Sequence, residues 1–336
     1  MKVSELGEFG LIELLADIVN KSKNPQDASW RQLLIGIGDD AAAWRGDSST
    51  QLATTDSLVQ DTHFNLNIIG WEDLGYKALA VNLSDIAAMG GIPKYALASL
   101  SLPGETEAEC VSSLYQGMIQ LAQEFGIAII GGNIASGPNV VITITVLGSL
   151  KGDSILSRSA AIAGEQIAVT GYLGMSAAGL EMLKQQLKLD DRISPLLRQA
   201  HLHPIPKVKE GQTLLHLGVR AAIDISDGLI ADLSKICQMS KVSANINLDY
   251  LPIHPMVKAS FKTEYLEMAL SGGEDYELLF TASSQVMERV KRALSCRVTV
   301  IGEVTEQKAQ HIILTDATGS VVTPGKKGWE HFKSRD

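Results

Sequence analysis

The chain has 336 residues, 45% of them hydrophobic and 20% charged, the proportions of a folded globular protein rather than a disordered or membrane-embedded one. Lys and Arg number 29 against 38 Asp and Glu, a formal charge of −9 with no dense basic block, which argues against nucleic-acid binding through phosphate neutralisation. No apolar run reaches the roughly 20 residues of a bilayer span, and "MKVSELGEFG" lacks the layout of a secretion signal, so the expectation is a cytoplasmic protein with no membrane attachment.

In chain order, "FGLIELLADIVNKS" carries apolar residues at helical spacing (Phe9, Ile12, Leu15, Ala16, Val19) and predicts an amphipathic helix. Strand-like runs follow at Leu33–Ile37 and Leu52–Thr55, then a long helix over "WEDLGYKALAVNLSDIAAMGG" that stops at paired glycines. "KYALASLSL" alternates as a strand, "ETEAECVSSLYQGMIQLAQEFG" predicts a helix, and "IAIIGG" and "VVITITVLGS" predict strands. The pattern restarts after Lys151 with a strand "QIAVTG" and a helix "GMSAAGLEMLKQQL". A polar, proline-containing stretch from Arg192 to Pro206 comes next, then a helix, the strand "AAIDIS", the helix "LIADLSKICQM" and the strand "ANINL". These elements predict an α/β protein of mixed sheets in two domains, residues 1–150 and 151–336. A short echo, "AVNLSDIAA" against "AIDISDGLI", suggests two halves on a related plan. Cys110, Cys237 and Cys296 are widely spaced and read as reduced, partly buried small hydrophobes.

Carboxylates collect where elements end. "GIGDDAAA", "ATTDSLV", "AVNLSDIAAMGG" and "AAIDISDGLI" hold Asp39, Asp40, Asp56, Asp85, Asp224 and Asp227, and these windows contain no Lys or Arg. Carboxylates without nearby cations, flanked by the hydroxyls of Thr54, Thr55, Ser84 and Ser226, suit a hard divalent ion bound through oxygen, Mg²⁺ foremost. Each motif alone has a plainer explanation; "DISDG" serves equally as a strand end followed by a helix capped by Ser226 or Asp227. Magnesium in an α/β protein points to phosphate chemistry, yet the P-loop pattern is absent and "GIGDDA" lacks the third glycine of a dinucleotide fingerprint. "IIGGNIASGP" remains, read as a strand running into a glycine turn whose amides can approach phosphate oxygens. "SGGEDYELLF", with two glycines and two adjacent acids before a strand, is explained on its own by an exposed turn.

Taken in order, "GEFGLI", "GIGDDAA", "TTDSLVQDTHF", "YKALAVNLSDIAAMGG", "IIGGN", "LSRS", "VTGYLGMSAAGL", "AIDISDGLIADL", "SGGEDYELLF" and the terminal "GW..F" resemble the thiamine-monophosphate kinases over nearly the whole chain. That family belongs to an ATP-binding superfamily with aminoimidazole ribonucleotide synthetase and selenophosphate synthetase. The resemblance implies a two-domain subunit dimerising through its N-terminal domain, which would bind ATP and Mg²⁺. It also implies transfer of the ATP γ-phosphate to thiamine monophosphate, giving thiamine diphosphate and ADP. By the same resemblance, several Mg²⁺ ions would be held by Asp40, Thr54, Thr55, Asp56, Asp85, Asp224 and Asp227, with Asp39 in support. The nucleotide would meet Gly132, Asn133, Arg158 and Ser226, and the thiamine moiety His63, Glu274 and Trp329. The indole of Trp329 suits a cation–π contact with the thiazolium; packing roles are the plainer explanations for His63 and Trp329.

Two departures stand out. Asn133 and Ser136 occupy places where the family commonly has Asp and Arg, which is expected to weaken metal binding there. In "HLHPIPK", His203 and Lys207 replace arginines, and His201 with His203 has the spacing of a metal pair but no third ligand nearby in the sequence. Two alternatives follow: an ATP-dependent synthetase of the same superfamily, or a regulatory protein that binds Mg-nucleotide without turnover. The chain lacks the reactive N-terminal cysteine expected of a selenophosphate synthetase.

Overall fold

The structure, a computed structural model, describes residues 1–37, 43–46, 48–309, 311–323, 325 and 328. The chain divides into two compact units, Met1–Ile86 with Gly91–Asp153, and Ala87–Gly90 with Ser154–Asp336. Among the described residues no helix is long and apolar enough to cross a membrane. The three cysteines are free thiols, Cys237 buried and the other two half-buried.

The first unit opens with α1 (Val3–Lys21), broken at Gly7, whose φ of 69° is not helical. The short α2 (Ala28–Gln32) leads into a small antiparallel ribbon of β1 (Leu33–Ile35) and β2 (Ala43–Trp44). "LLIGI" is therefore not the buried segment its composition suggests: Leu34 is 59% and Ile35 43% exposed. Leu33 packs toward Tyr95, Ala128 and Ile130, alternation turns Leu34 outward, and an irregularity in the pairing after Leu33 releases Ile35.

The main sheet of this unit uses β3 (Gln51–Val59), β4 (Ile92–Leu102), β5 (Ala128–Ser136) and β6 (Val141–Ser149), in the order β3-β6-β4-β5, with only β4 and β5 parallel. Ile142, Ile144 and Val146 alternate inward along β6. The helices α3 (Trp71–Ala88) and α4 (Ala108–Phe125) supply the apolar cover, α4 burying Val111, Leu114, Tyr115, Met118, Leu121 and Ala122 at helical spacing. They meet backbone to backbone. A Cβ on Gly75 would stand 1.8 Å from the Leu114 carbonyl oxygen, and one on Gly117 1.9 Å from that of Glu72.

"IIGGN" is not a turn. Ala96 pairs with Ile129 and Leu97 with Gly131, so Ile130 is an extra residue in a β-bulge and β5 runs on to Ser136. Gly132 is required by approach rather than by turning, since a Cβ there would lie 1.8 Å from the Ala98 carbonyl oxygen.

The second unit is built on β7 (Gln166–Thr170), β8 (Ala221–Asp224), β9 (Val242–Asn247), β10 (Leu278–Ala282), β11 (Val298–Glu306), β12 (Ile312–Thr315) and β13 (Val321–Val322). Their order is β13-β12-β9-β11-β7-β10-β8, antiparallel except for β9 with β12. The helices are α5 (Met175–Gln185), α6 (Ser194–Leu202), α7 (Val208–His216), α8 (Leu229–Ser240), α9 (Pro255–Ser260), α10 (Tyr265–Ser271) and α11 (Ser284–Ala293). Ile167, Val169, Ile223, Leu229, Leu233, Ile236 and Leu279 lie in one apolar core. The mixed α/β architecture expected from the sequence is the one observed.

The stretch from Arg192 to Pro206, polar and proline-containing in sequence, holds the helix α6; Pro195 in its first turn is a start signal, because its missing N–H falls where a helix has no partner for one. The echo between "AVNLSDIAA" and "AIDISDGLI" is not structural. The first lies inside α3, whereas the second is the end of β8, a turn and the start of α8.

Candidate active site

In the first unit, β3 pairs with β6 without a break from Gln51 to Val59, so its side chains alternate strictly. Leu52, Thr54, Asp56 and Leu58 share one face, and from it the Thr54 hydroxyl donates to Asp85 Oδ2 on α3 at 2.6 Å. Asp56 is exposed on that face, and Asp85, which the sequence placed at an element end, stands within α3 and is half-buried. Thr55 points the other way. Its hydroxyl lies 3.0 Å from that of Thr145, next to the Ser57–Thr143 pair at 2.7 Å, so it does not join Thr54 and Asp85.

His63 closes the turn after β3: its backbone N–H donates to the Val59 carbonyl at 2.8 Å, and its Nδ1 accepts the Val59 N–H at 3.1 Å. An accepting Nδ1 puts the ring proton on Nε2. Gly132 and Asn133 are exposed on β5, opposite Ala98 and Ser99. Asp39 and Asp40 lie outside the described residues.

In the second unit, Asp224 is buried at the end of β8, and the turn Ile225–Gly228 leads into α8. Neither Ser226 nor Asp227 caps that helix. Asp232, 0% exposed, reaches back from the first turns of α8, and its Oδ2 accepts the N–H groups of Ser226, Asp227 and Gly228 at 3.0, 3.0 and 3.1 Å. A carboxylate of the chain itself thus fills the amide concavity where a phosphate would otherwise be sought.

The premise that no cation serves these acids needs correcting. The windows hold none, but Lys235 on α8 lies eight residues beyond Asp227, and its Nζ is 2.6 Å from Asp227 Oδ2 and 2.7 Å from Asp232 Oδ1. Burial pushes the Asp232 carboxyl up in pKa, and the Lys235 ammonium pulls it back. The sequence offered a signal: Asp232 falls on the same face of α8 as the buried Leu229, Leu233 and Ile236, a position where an acid requires partners.

"SGGEDYELLF" is a packed loop, not an exposed turn. It lies along "DISDG", with Glu274 N–H donating to the Ser226 carbonyl at 2.8 Å and Tyr276 N–H to that of Ile225 at 2.9 Å. The glycines permit this approach, since a Cβ on Gly273 would stand 2.6 Å from the Ser226 carbonyl oxygen. The three acids of the loop have separate tasks. Asp275 turns inward and accepts the N–H groups of Gly174 at 2.7 Å and Ser176 at 3.1 Å at the start of α5; burial outweighs these donors and pushes its carboxyl up to about 7. Glu277 is held by the Thr170 hydroxyl at 2.6 Å and Lys207 Nζ at 3.1 Å. Glu274 keeps its side chain half-exposed. Arg158 is exposed, its carbonyl accepting from the Ser240 hydroxyl at 2.8 Å, and Trp329 lies outside the described residues.

Among the described residues no three His, Cys, Asp or Glu side chains group as a metal site. Mg²⁺ is usually held by one or two carboxylates together with substrate phosphates and water, so a closed protein cage is not its requirement. Thr54 and Asp85, hydrogen-bonded to each other and offering oxygen alone, have the donor chemistry for that ion.

Residues 38–150 match the family of the AIR synthase related protein, N-terminal domain, and residues 163–315 that of the C-terminal domain. The thiamine-monophosphate kinase of Bacillus subtilis (strain 168) is 40% identical, covering 98% of this chain and 100% of its own length. The solved thiamine-monophosphate kinase from Stenotrophomonas maltophilia K279a is 33% identical with a TM-score of 0.79, over 89% of this chain and 95% of that one. AaThiL complexed with AMPPCP and TMP is 33% identical with a TM-score of 0.76, over 99% of each chain.

Proposed function

The chain belongs to the thiamine-monophosphate kinase family, and from that membership we propose that it transfers the γ-phosphate of ATP to thiamine monophosphate, releasing thiamine diphosphate and ADP. The observation that carries the reading is its likeness, over nearly the full length, to a relative solved with both AMPPCP and TMP. Donor and acceptor are then both phosphates. An ionised acceptor oxygen needs no general base, so the protein's work is to align two anions and offset the charge that gathers between them.

In this reading several Mg²⁺ ions would be held, by Asp40, Thr54, Asp56 and Asp85 in the first unit and by Asp224 and Asp227 in the second. When bound, such an ion would supply positive charge beyond that of Lys235 at Asp227. Thr54 orients Asp85 by its hydroxyl. Thr55 enters this set by resemblance alone, its hydroxyl being engaged with Thr145 on the opposite face. Gly132, Asn133, Arg158 and Ser226 meet the nucleotide, Ser226 through its side chain because its N–H donates to Asp232 and its carbonyl accepts from Glu274. His63, Glu274 and Trp329 receive the thiamine moiety. The proposal keeps a homodimer formed through residues 1–150, supported by the apolar surface that Leu34, Ile35 and Trp44 expose on the β1–β2 ribbon.

Incubation with ATP, Mg²⁺ and thiamine monophosphate, followed by phosphorus NMR, is expected to show a new diphosphate ester together with ADP. ADP with free phosphate, dependent on some other acceptor, would instead favour a synthetase. Bound nucleotide without turnover would favour a regulatory protein.

A further inference from the structure

The His-x-His spacing at 201–203 has no part in the reading above, and the fold gives its first member a different task. His201 lies buried in α6, with Nδ1 3.1 Å from the Ser176 hydroxyl and 3.6 Å from Glu274 Oε2. It reaches that place because α6 lies directly on α5: a Cβ on Gly179 would stand 2.2 Å from the Leu197 carbonyl oxygen and 3.0 Å from His201 Cβ.

Ser176 serves both neighbouring acids. Its N–H donates to Asp275, and its hydroxyl meets the imidazole that faces Glu274. The loop carrying these acids is strained, with φ of 57° at Glu274 and 50° at Tyr276, a left-handed conformation that non-glycine residues seldom adopt. Such strain persists where the surroundings over-determine it, and it gathers at functional sites. Here the backbone bonds to Ser226 and Ile225 and the anchoring of Asp275 on α5 hold the loop. The Glu274 side chain keeps 30% of its surface in solvent against 7% for His201, so the imidazole lies on the protein side of the carboxylate.

We propose that His201 is a positioning residue for Glu274, and that the pair forms a prepared receptor for the cationic part of the acceptor substrate. The proposal rests on the reading of Glu274 as a thiamine contact. The ring is fixed by its 3.1 Å contact with the Ser176 hydroxyl and stands 3.6 Å from Glu274 Oε2, a close polar approach rather than a hydrogen bond, which narrows the rotamers open to a flexible glutamate. Ordering that side chain then costs less when a cation arrives. His201 touches no reacting atom, so its effect falls on acceptor affinity and not on the chemical step.

Three variants, His201→Leu, His201→Gln and Glu274→Gln, test this by steady-state kinetics with each substrate varied in turn. Calorimetric titration with thiamine monophosphate and thermal melts accompany them. The expected result for His201→Leu is a rise of about three- to fivefold in KM and Kd for thiamine monophosphate, the size of a close ion-pair contact, with kcat and the KM for ATP changed less than about twofold. His201→Gln, which keeps an N–H donor, should recover most of that loss; it also carries the test if the leucine variant does not fold. An unchanged acceptor KM in both His201 variants, while Glu274→Gln raises it, would overturn the inference and leave the reading of Glu274 standing. Equal losses for both substrates would reduce His201 to packing. No effect from Glu274→Gln would remove the reading of Glu274 and the inference with it.

Discussion

Asp275 shows what a single carboxyl does when enclosed. Its ordinary pKa of 3.8 is pushed to about 7 by burial, against the pull of two helix-start amides. A carboxyl whose folded pKa exceeds its unfolded one holds a proton in the native state that the unfolded chain has released. The stability it contributes is therefore complete below the unfolded value and is lost as pH rises through about 7. Urea denaturation of the wild type and of Asp275→Asn from about pH 5 to about pH 8 is expected to show the wild type losing on the order of 1–3 kcal/mol relative to the variant. A flat difference would mean that the amides keep the carboxylate ionised throughout. At this scale the sequence told acids apart poorly. "GGEDYE" places three within four residues, and only the fold assigns Glu274 outward, Asp275 to α5 and Glu277 to Lys207. Local charge counting also missed Lys235, because α8 sets it beside Asp232 one turn earlier and within reach of Asp227 in the turn ahead of the helix.

Helices and strands were far more legible, since their burial follows periods of 3.6 and 2 that the apolar residues already display. α4 and β6 fall close to where alternation and helical spacing put them. Glycine and proline account for two departures, because both residues also serve inside elements and not only between them. In "IIGGN" the glycines allow a bulge and a close approach inside β5, and the proline-containing stretch after Arg192 starts α6 instead of interrupting the chain. The crossing of α3 and α4 extends the point. Gly75 and Gly117 each lie where a methyl group would enter the other helix's backbone. Gly117→Ala must part the helices, and the expected cost is about 1–3 kcal/mol or more by urea denaturation. Because α3 also carries Asp85, the same variant is expected to show a weaker Mg²⁺ dependence of its melting temperature than the wild type.

For the molecule as a whole, charge is the property read most directly. A chain of −9 meets two anionic substrates. Raising ionic strength at fixed free Mg²⁺ shortens the Debye length from about 30 Å at 0.01 M to about 8 Å at 0.15 M. If metal ions and not lysines carry the positive field, kcat/KM for ATP is expected to rise severalfold over that range while kcat stays level. A fall would reveal a local basic field that steers nucleotide in. The element pattern restarts after Lys151, and the second compact unit also takes in Ala87–Gly90, which no restart in the sequence marks; the echo between the halves sets a helix against a strand and its turn.

The three amides gathered on Asp232 have a consequence for how ligands are met. A loop that depends on an incoming phosphate for its shape is unformed until the ligand arrives, and part of the binding energy goes into ordering it. Here an internal carboxylate plays the anion from the outset, so "DISDG" holds Asp227 and the Ser226 side chain in a finished conformation, and a nucleotide bound there as proposed would find a die already cast.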